Sequence, residues 1–181
     1  MKTLETKRMI LRLWQEADLA DLYEYAKEDN VGVNAGWPKH ESIEQSKIIL
    51  DRFISEKDVY AIVYKDNGKV IGSIGVHNRP NSDLNKTQRE IGYVLSKSYW
   101  NQGLMTEAVR EVIRYVFRNM RIDILWCAHF DFNLRSKRVI EKCGFKYYKE
   151  EKREAKLIGK TYRTLLYILE KEDYIDIDYL Q

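Results

Sequence analysis

The chain has 181 residues, of which 44% are hydrophobic and 33% charged, and its net charge is +3. This balance is typical of a soluble globular protein, and the interleaved acids and bases exclude the continuous basic surface of a nucleic-acid-binding protein. No uncharged apolar run is long enough to span a membrane, and the start MKTLETKRMI lacks the apolar segment of a signal peptide. We therefore expect a cytoplasmic protein that contacts neither nucleic acid nor membrane directly.

The length fits one domain, expected over residues 1–181, with an acidic C-terminal tail at 171–181. Cys127 and Cys143 are too few for a disulfide framework and lie among apolar residues, so we expect reduced thiols in the core. No His/Cys/Asp cluster has the spacing of metal ligands, so no metal site is expected.

The first half of the chain predicts a strand, two helices and a β-meander. RMILRLW alternates as a strand does, and EADLADLYEYAKED has apolar residues at helical spacing. After the loop NVGVNAGWPKH, Ser42 begins a second helix, with Gln45 as its capping-box partner. DVYAIVYK and KVIGSIGVHN are strand-like runs joined by a hairpin turn at Asn67-Gly68.

The second half predicts two more helices among four strands. EIGYVL is a short strand, and a helical stripe of apolar positions follows from Met105. IDILWCAHF is apolar on both faces, which favours a central strand. A short helix runs from Asn133 to a glycine stop at Gly144, and two strands around Gly159 end the fold. We expect a mixed α/β (α+β) fold with a mostly antiparallel sheet of about six to seven strands. Its centre holds one parallel β-α-β crossover, from EIGYVL to IDILWCAHF.

The stretch YWNQGLMTEA places Gly103 at the entrance of the third helix. Free amides at a helix start, together with the helix dipole, form an anion site that a glycine leaves open to a ligand. Thr106 adds a hydroxyl one turn later. The glycine patterns of P-loops and of dinucleotide-binding folds are both absent. Gly92 lies inside the preceding strand, where it predicts a bulge that separates this strand from its parallel neighbour.

Three segments carry a resemblance to a known family: EIGYVL (90–95), YWNQGLMTEA (99–108) and NLRSKRVIEKCGF (133–145). Together they resemble the GNAT superfamily of acetyl-CoA-dependent N-acetyltransferases, and most closely its ribosomal-protein N-terminal (RimJ/RimL-like) branch. The resemblance implies the GNAT acyl-CoA N-acyltransferase fold with a splayed strand pair. It also implies acetyl-CoA as the co-substrate and no metal.

The same resemblance implies roles for individual residues. The pantetheine arm would pair with the backbone of Tyr93, Val94 and Leu95. The pyrophosphate would be held by the loop and helix start, comprising Asn101, Gln102, Gly103, Leu104, Met105 and Thr106. Asn133 would hydrogen-bond the cofactor arm or an active-site water, and Ser136 would lie near the sulfur.

Two departures from the family pattern bear on these roles. In the pattern Q/R-x-x-G-x-G/A, Trp100 replaces the first position and Met105 the last, which backbone recognition of phosphate tolerates. Many members carry a catalytic tyrosine on the last helix, where this chain has Ile140. Ser136 is the candidate replacement as proton donor, and otherwise an ordinary residue of the first helical turn.

The expected reaction is direct attack of a neutral amine on the thioester, with an amide near Val94 stabilising the oxyanion. Glu90 is the candidate base, directly or through water. Its alternative is a solvated carboxylate at a strand edge. His129 is expected to be a packed, hydrogen-bonded residue rather than a catalyst.

The acceptor side is less defined. His77, Asn78 and Trp37 are candidate substrate-binding residues, although Trp37 would equally serve as a buried anchor for its loop. The most favoured acceptor is the α-amine of a protein or peptide. The alternatives are a small amine such as a polyamine or an antibiotic, and a module that senses acyl-CoA without turnover. The oligomeric state stays open, a homodimer included.

Overall fold

The computed structural model describes residues 1–79 and 86–174. Within them, the strands are β1 (Leu4–Glu5), β2 (Met9–Leu13), β3 (Val59–Tyr64), β4 (Val70–Asn78), β5 (Gln88–Leu95), β6 (Ile124–Phe130), β7 (Lys146–Ala155) and β8 (Lys160–Glu170). The α-helices are α1 (Leu19–Ala26), α2 (Ile43–Glu56), α3 (Leu104–Asn119) and α4 (Leu134–Lys142). Most of the acidic tail, from residue 175 onward, lies outside the described residues.

All eight strands form one sheet in the order β1-β2-β3-β4-β5-β6-β8-β7. The neighbours pair antiparallel except β5 and β6, which are parallel and joined through α3. This confirms the predicted mixed sheet with its central crossover. The expected count of six to seven strands is too low, because β1 has only two residues and no alternating pattern. Its pairing of Leu4 with Leu11 on β2 adds a strand at the edge.

Helices cover both faces of the sheet. The apolar stripe of α3, from Leu104 to Phe117, is buried against one face, as its spacing predicts. α1 and α2 cover the other face, where Leu22 and Leu50 are buried beside Trp14. Each such side chain contributes about 1.5–3 kcal/mol when fully buried. Burial on both sides fixes the sheet, so the backbone at its centre is a rigid support for a site.

The strand β6 is central, as predicted. It lies between β5 and β8, and its two faces belong to different apolar clusters, with Trp126 on one side and Cys127 on the other. Both cysteines are free; Cys127 is buried and Cys143 half-buried, in line with the expected reduced thiols.

The predicted capping box at the start of α2 is half correct. Ser42 Oγ accepts a hydrogen bond from the Gln45 amide at 3.3 Å. The Gln45 side chain, however, accepts from the amide of Glu41 at 2.8 Å, one residue before Ser42. Both contacts still satisfy amides at the helix entrance.

The parallel strands β5 and β6 separate along their length, as predicted. The predicted cause, a bulge at Gly92, is wrong. The β4–β5 register is continuous from Gly72–Leu95 to Asn78–Arg89. The β5–β6 ladder, in contrast, ends at Ile91–Cys127. The two strands therefore diverge beyond Ile91 while β5 stays regular against β4, and a gap opens between them.

Candidate active site

A cleft of about 650 Å³ runs through this gap. It is lined by the second half of β5, the loop before α3, the end of β6, one side of α4 and the end of β7. Residues 34–36 of the loop before α2 lie at its other side. The cleft thus occupies the position outside strand ends where open α/β sheets bind ligands.

Backbone hydrogen bonds determine which groups of β5 face the gap. The Ser96 amide donates to the Ile71 carbonyl at 2.8 Å. In an antiparallel ladder the hydrogen-bonded positions alternate, so Val94 also directs its N–H and C=O toward β4. Tyr93 and Leu95 consequently direct theirs toward the gap.

One of these gap-facing groups is already in use. The indole N–H of Trp100 donates to the Leu95 carbonyl at 2.7 Å. The N–H and C=O of Tyr93 and the N–H of Leu95 then face the gap beyond the last β5–β6 pair. Three such groups are what an extended ligand needs to pair with β5 as an added strand. The backbone of Val94, expected both to pair with the pantetheine arm and to stabilise the oxyanion, instead faces β4.

The start of α3 is shaped as an anion site. Gly103 is the N-cap with φ of 77° and makes no side-chain capping bond, and Asn101 also has positive φ, of 60°. Because Gly103 has no side chain, it cannot cap the first-turn amides of Leu104, Met105 and Thr106. These amides and the dipole of a 16-residue helix favour a bound phosphate.

An arginine lies against Trp100, the residue at the family's Gln/Arg position. The guanidinium of Arg135 lies 4.0 Å from the centre of the Trp100 ring, a cation–π contact. Arg138 and Lys142 line the cleft from the same helix. Sequence reasoning missed this cationic side of α4, although the i, i+3, i+7 spacing of the three residues places them on one helix face.

Asn133 and Ser136 lie together at the start of α4, as predicted. Asn133 Oδ1 accepts from the Ser136 amide at 3.2 Å, and its Nδ2 donates to the carbonyl of Asn34 at 3.2 Å. Asn133 therefore caps the helix and ties it to the loop before α2. The amide keeps one N–H for a ligand or water, so its predicted contact with the cofactor arm stays a prediction.

The hydroxyl of Ser136 has a partner that the sequence did not reveal. The Tyr93 hydroxyl lies 3.0 Å from Ser136 Oγ and 3.2 Å from the Ser136 carbonyl oxygen. Burial raises the pKa of Tyr93 well above 10, so the phenol stays protonated. The cleft therefore has a tyrosine beside Ser136 that comes from β5, although the last helix carries Ile140.

Glu90 is neither a solvated edge carboxylate nor a free base. Arg153 donates to one carboxylate oxygen at 2.8 Å, and Arg79 donates to the other. The side chain of Glu90 is only 22% exposed. Both carboxylate oxygens of Glu90 are therefore engaged by guanidiniums.

Comparison with known proteins identifies the fold and its chemistry. The sequence profile of the acetyltransferase (GNAT) domain matches residues 8–146. The chain belongs to the GNAT acetyltransferase family. It is therefore an acetyl-CoA-dependent N-acetyltransferase, and the resemblance to the RimJ/RimL-like branch is confirmed.

Relatives and solved structures agree with this assignment. The uncharacterized N-acetyltransferase YoaA of Bacillus subtilis is 29% identical over 148 residues, covering 78% of this chain and 81% of YoaA. A GNAT acetyltransferase from Bacillus anthracis superposes with a TM-score of 0.84 at 19% identity, covering 94% and 99% of the two chains. The ribosomal-protein-S5-alanine acetyltransferase from Vibrio fischeri gives a TM-score of 0.74 at 20% identity, covering 97% and 100%. Such structural matches show the shared fold.

The candidate acceptor residues of this acetyltransferase do not themselves line the cleft. Among the described residues, the lining includes Asn34 and Gly36 but not Trp37, His77 or Asn78. Trp37 packs over Gly32, where a Cβ would lie 2.3 Å from its ring. These contacts fit the alternative role of Trp37, in which it anchors its own loop. Asn78 is exposed at the end of β4.

His129 lies in the interior of the protein, as the sequence predicts. His129 is buried, its Nδ1 lies 2.8 Å from the Phe130 carbonyl, and its Nε2 lies 3.4 Å from the Tyr167 hydroxyl. It is a packed, hydrogen-bonded residue, as predicted.

Across residues 1–79 and 86–174 of the acetyltransferase, no helix is long and apolar enough to cross a membrane. The same part of the chain holds no group of three or more His, Cys, Asp and Glu side chains arranged for a metal ion.

Proposed function

We propose that this enzyme acetylates the free α-amine at the N-terminus of a protein or peptide. The observation that carries the donor half is the row of backbone groups of Tyr93 and Leu95 facing the gap beside the uncapped start of α3. In the acceptor half, support comes from the fold shared with the Vibrio fischeri enzyme, whose name gives an alanine of ribosomal protein S5 as its target. The whole chain acts as one catalytic domain in this proposal.

Acetyl-CoA fits the residues of the cleft. Its extended pantetheine arm carries amides that would pair with the gap-facing groups of Tyr93 and Leu95. The loop from Asn101 through Gln102 to Gly103 and the first amides of α3 would hold the pyrophosphate. Arg135 and its neighbours on α4 supply positive charge beside that position.

The reaction forms a C–N bond and breaks a C–S bond. The amine attacks the thioester carbon, and the carbonyl oxygen becomes an oxyanion that a gap-facing amide of Tyr93 or Leu95 would stabilise. The electron pair of the C–S bond leaves with sulfur. Ser136, in contact with Tyr93, would give the thiolate a proton and regain one from water, and the amine nitrogen would lose its proton to a base or to water. Because a thiol of this type has a pKa of about 8.5, a weak acid is sufficient.

The ionic contacts of Glu90 favour an α-amine as acceptor. Near pH 7.4, removing a proton costs roughly 0.8 kcal/mol for an α-ammonium with pKa about 8, and roughly 4 kcal/mol for a lysine with pKa about 10.4. Both oxygens of Glu90 are bound by guanidiniums, so neither is free to receive the proton of the amine. An acceptor that needs little deprotonation suits it better.

A thiol-release assay with acetyl-CoA tests the proposal. The panel contains short peptides with N-terminal Ala or Ser, the same peptides with a blocked N-terminus and one free lysine, and a polyamine. We expect release with the free N-termini, with mass spectrometry locating the acetyl group on the α-amine. Faster release with the blocked lysine peptides or with the polyamine would overturn the choice of acceptor.

A further inference from the structure

The proton that the attacking amine loses needs an acceptor, and the carboxylate expected to take it is already engaged. Glu90, the residue expected to accept it, is held on both oxygens by Arg79 and Arg153. A second titratable pair lies next to it on the same face of the sheet. His77 is the direct cross-strand neighbour of Glu90 in the β4–β5 register, and cross-strand partners point to the same face.

His77 makes a hydrogen bond of defined geometry with Asp58. Its Nδ1 lies 2.8 Å from Asp58 Oδ2. The carbonyl of Asp58 accepts from the Val76 amide at 2.9 Å, which fixes the acid against β4. When Nδ1–H donates to a carboxylate, the neutral imidazole leaves Nε2 bare and able to accept a proton.

The other oxygen of Asp58, Oδ1, is buried and has no hydrogen-bond partner among the residues that the structure describes. The Asp58 carboxylate thus has one oxygen bonded to the ring and one without a hydrogen-bond partner in the described part of the chain. Asp58 would therefore stabilise the imidazolium that forms when Nε2 takes a proton, as the acid does in His–Asp pairs of hydrolases.

Two glycines clear the space into which Nε2 projects. A Cβ at Gly75 would lie 2.2 Å from His77 Nε2, so the ring fits only because this position has no side chain. A Cβ at Gly92 would lie 3.9 Å from the same nitrogen. Gly92 lines the cleft and is the first residue of β5 past the end of the β5–β6 ladder. His77 Nε2 thus lies close to the point where the gap between β5 and β6 opens. The side chain of His77 is 46% exposed.

We propose that His77 is the catalytic base of this acetyltransferase and that Asp58 is its positioning residue. The proposal rests on amine acetylation but on no particular acceptor. As the C–N bond forms, the proton that leaves the amine nitrogen goes to His77 Nε2, directly or through one water. The C–S electron pair leaves with sulfur, which takes its proton from Ser136 or water. Glu90 instead positions Arg79 and Arg153 at the acceptor side.

Kinetics with the fastest amine of the panel separate the two candidate bases. His77→Ala should lower kcat about a hundredfold or more, leave the affinity for acetyl-CoA nearly unchanged, and regain part of kcat when imidazole is added. Asp58→Asn should also lower kcat, because an amide can hold the ring in the wrong tautomer. Glu90→Gln should cost less than His77→Ala. The control Asp51→Asn, an exposed acid on α2 paired with Lys47, should match the wild type.

The pH profile of kcat adds a readout that a structural role would not change. Among the described residues, His77 contacts Asp58 and lies opposite Glu90, which is paired with Arg79 and Arg153. A base that must be neutral gives a limb that rises with pH, and His77→Ala should lack this limb. The proposal is overturned if His77→Ala keeps more than half of the wild-type kcat. It is equally overturned if the limb persists in His77→Ala and disappears in Glu90→Gln.

A measurement made without any acceptor amine tests the role of His77 independently of the proposed acceptor. Nitrogen-15 NMR of the wild-type protein should show His77 with a proton on Nδ1 and none on Nε2. Diethyl pyrocarbonate should modify Nε2, and acetyl-CoA should slow that reaction. If no amine in the panel is acetylated, the proposed function fails on its own. A protonated Nε2 in the neutral ring, or modification that acetyl-CoA does not slow, would overturn the role of His77.

Discussion

The hydroxyl of Tyr93 lies 3.0 Å from the hydroxyl of Ser136 and joins β5 to the first turn of α4 beside the cleft. Ser136→Ala should lower kcat by about tenfold, at or below the low end for general acid catalysis because the thiol leaves easily. Tyr93→Phe removes the partner and keeps the serine, so a smaller loss is expected. Steady-state thiol release measures both. Tyr147→Phe, an exposed tyrosine on β7, is the control, and an unchanged kcat in Ser136→Ala would exclude a role for that hydroxyl.

The positive φ of Gly103 gives a second prediction. Gly103→Ala should lower the free energy of unfolding by about 1–2 kcal/mol, since an L-residue is strained in the left-handed region. It should also weaken acetyl-CoA binding, because a Cβ would stand at the entrance to the α3 amides. Gly68→Ala is the matched control: its φ is 72°, its turn lies between β3 and β4, and a Cβ there meets nothing within 4 Å.

Urea unfolding and calorimetric titration with acetyl-CoA measure the two effects separately. Both variants should lose similar stability, and only Gly103→Ala should lose affinity. Equal affinities in the two variants would remove the anion site from the start of α3.

Arg135 gives a third prediction through its stacking on Trp100. Arg135→Gln should raise the KM for acetyl-CoA about tenfold, as for the loss of a charge-assisted contact. Arg135→Lys should recover only part of the affinity, because an ammonium lacks the planar stacking of guanidinium. The control is Arg163→Gln, an exposed arginine on β8 that pairs with Glu150. If neither Arg135→Gln nor added salt changes the KM for acetyl-CoA, the Arg135 guanidinium has no role in binding the phosphates.

The donor side of the site could be predicted from the sequence because its signals are local. Gly103 precedes an apolar stripe within one helix, and Asn133 precedes Ser136 by three residues, so short segments determine both helix starts. The central position of β6 also follows from its own composition. The two-residue strand β1 carries no such pattern and forms only through pairing with β2.

The acceptor side could not be predicted because its contacts are distant in sequence. Arg153 is 63 residues from Glu90, and no spacing rule connects them. The hydrogen bond between His77 and Asp58 joins the end of β4 to the residue before β3. The gap was correctly expected from Gly92, but for the wrong reason: it comes from divergence of β6 and not from a bulge in β5.

Glu107 gives a prediction on stability and pH. It accepts from the Arg8 amide at 2.9 Å and from Arg8 Nε at 2.7 Å, and its side chain is 22% exposed. Burial opposes the shift, but the contacts with Thr6 and Arg8 prevail and hold the pKa of Glu107 below 4.5. A carboxyl with a lowered folded-state pKa stabilises the fold above its unfolded value and loses that contribution as pH falls through the folded value.

Glu107→Gln should therefore lower the free energy of unfolding by about 1–2 kcal/mol at neutral pH. The difference from the wild type should shrink as pH falls below about 4.5. Urea unfolding at a series of pH values measures it. Glu56→Gln, in an exposed i,i+4 pair with Arg52, should cost about 0.5 kcal/mol or less at every pH. A difference for Glu107→Gln that stays constant from neutral to acid pH would assign its effect to packing and not to the ionised carboxylate.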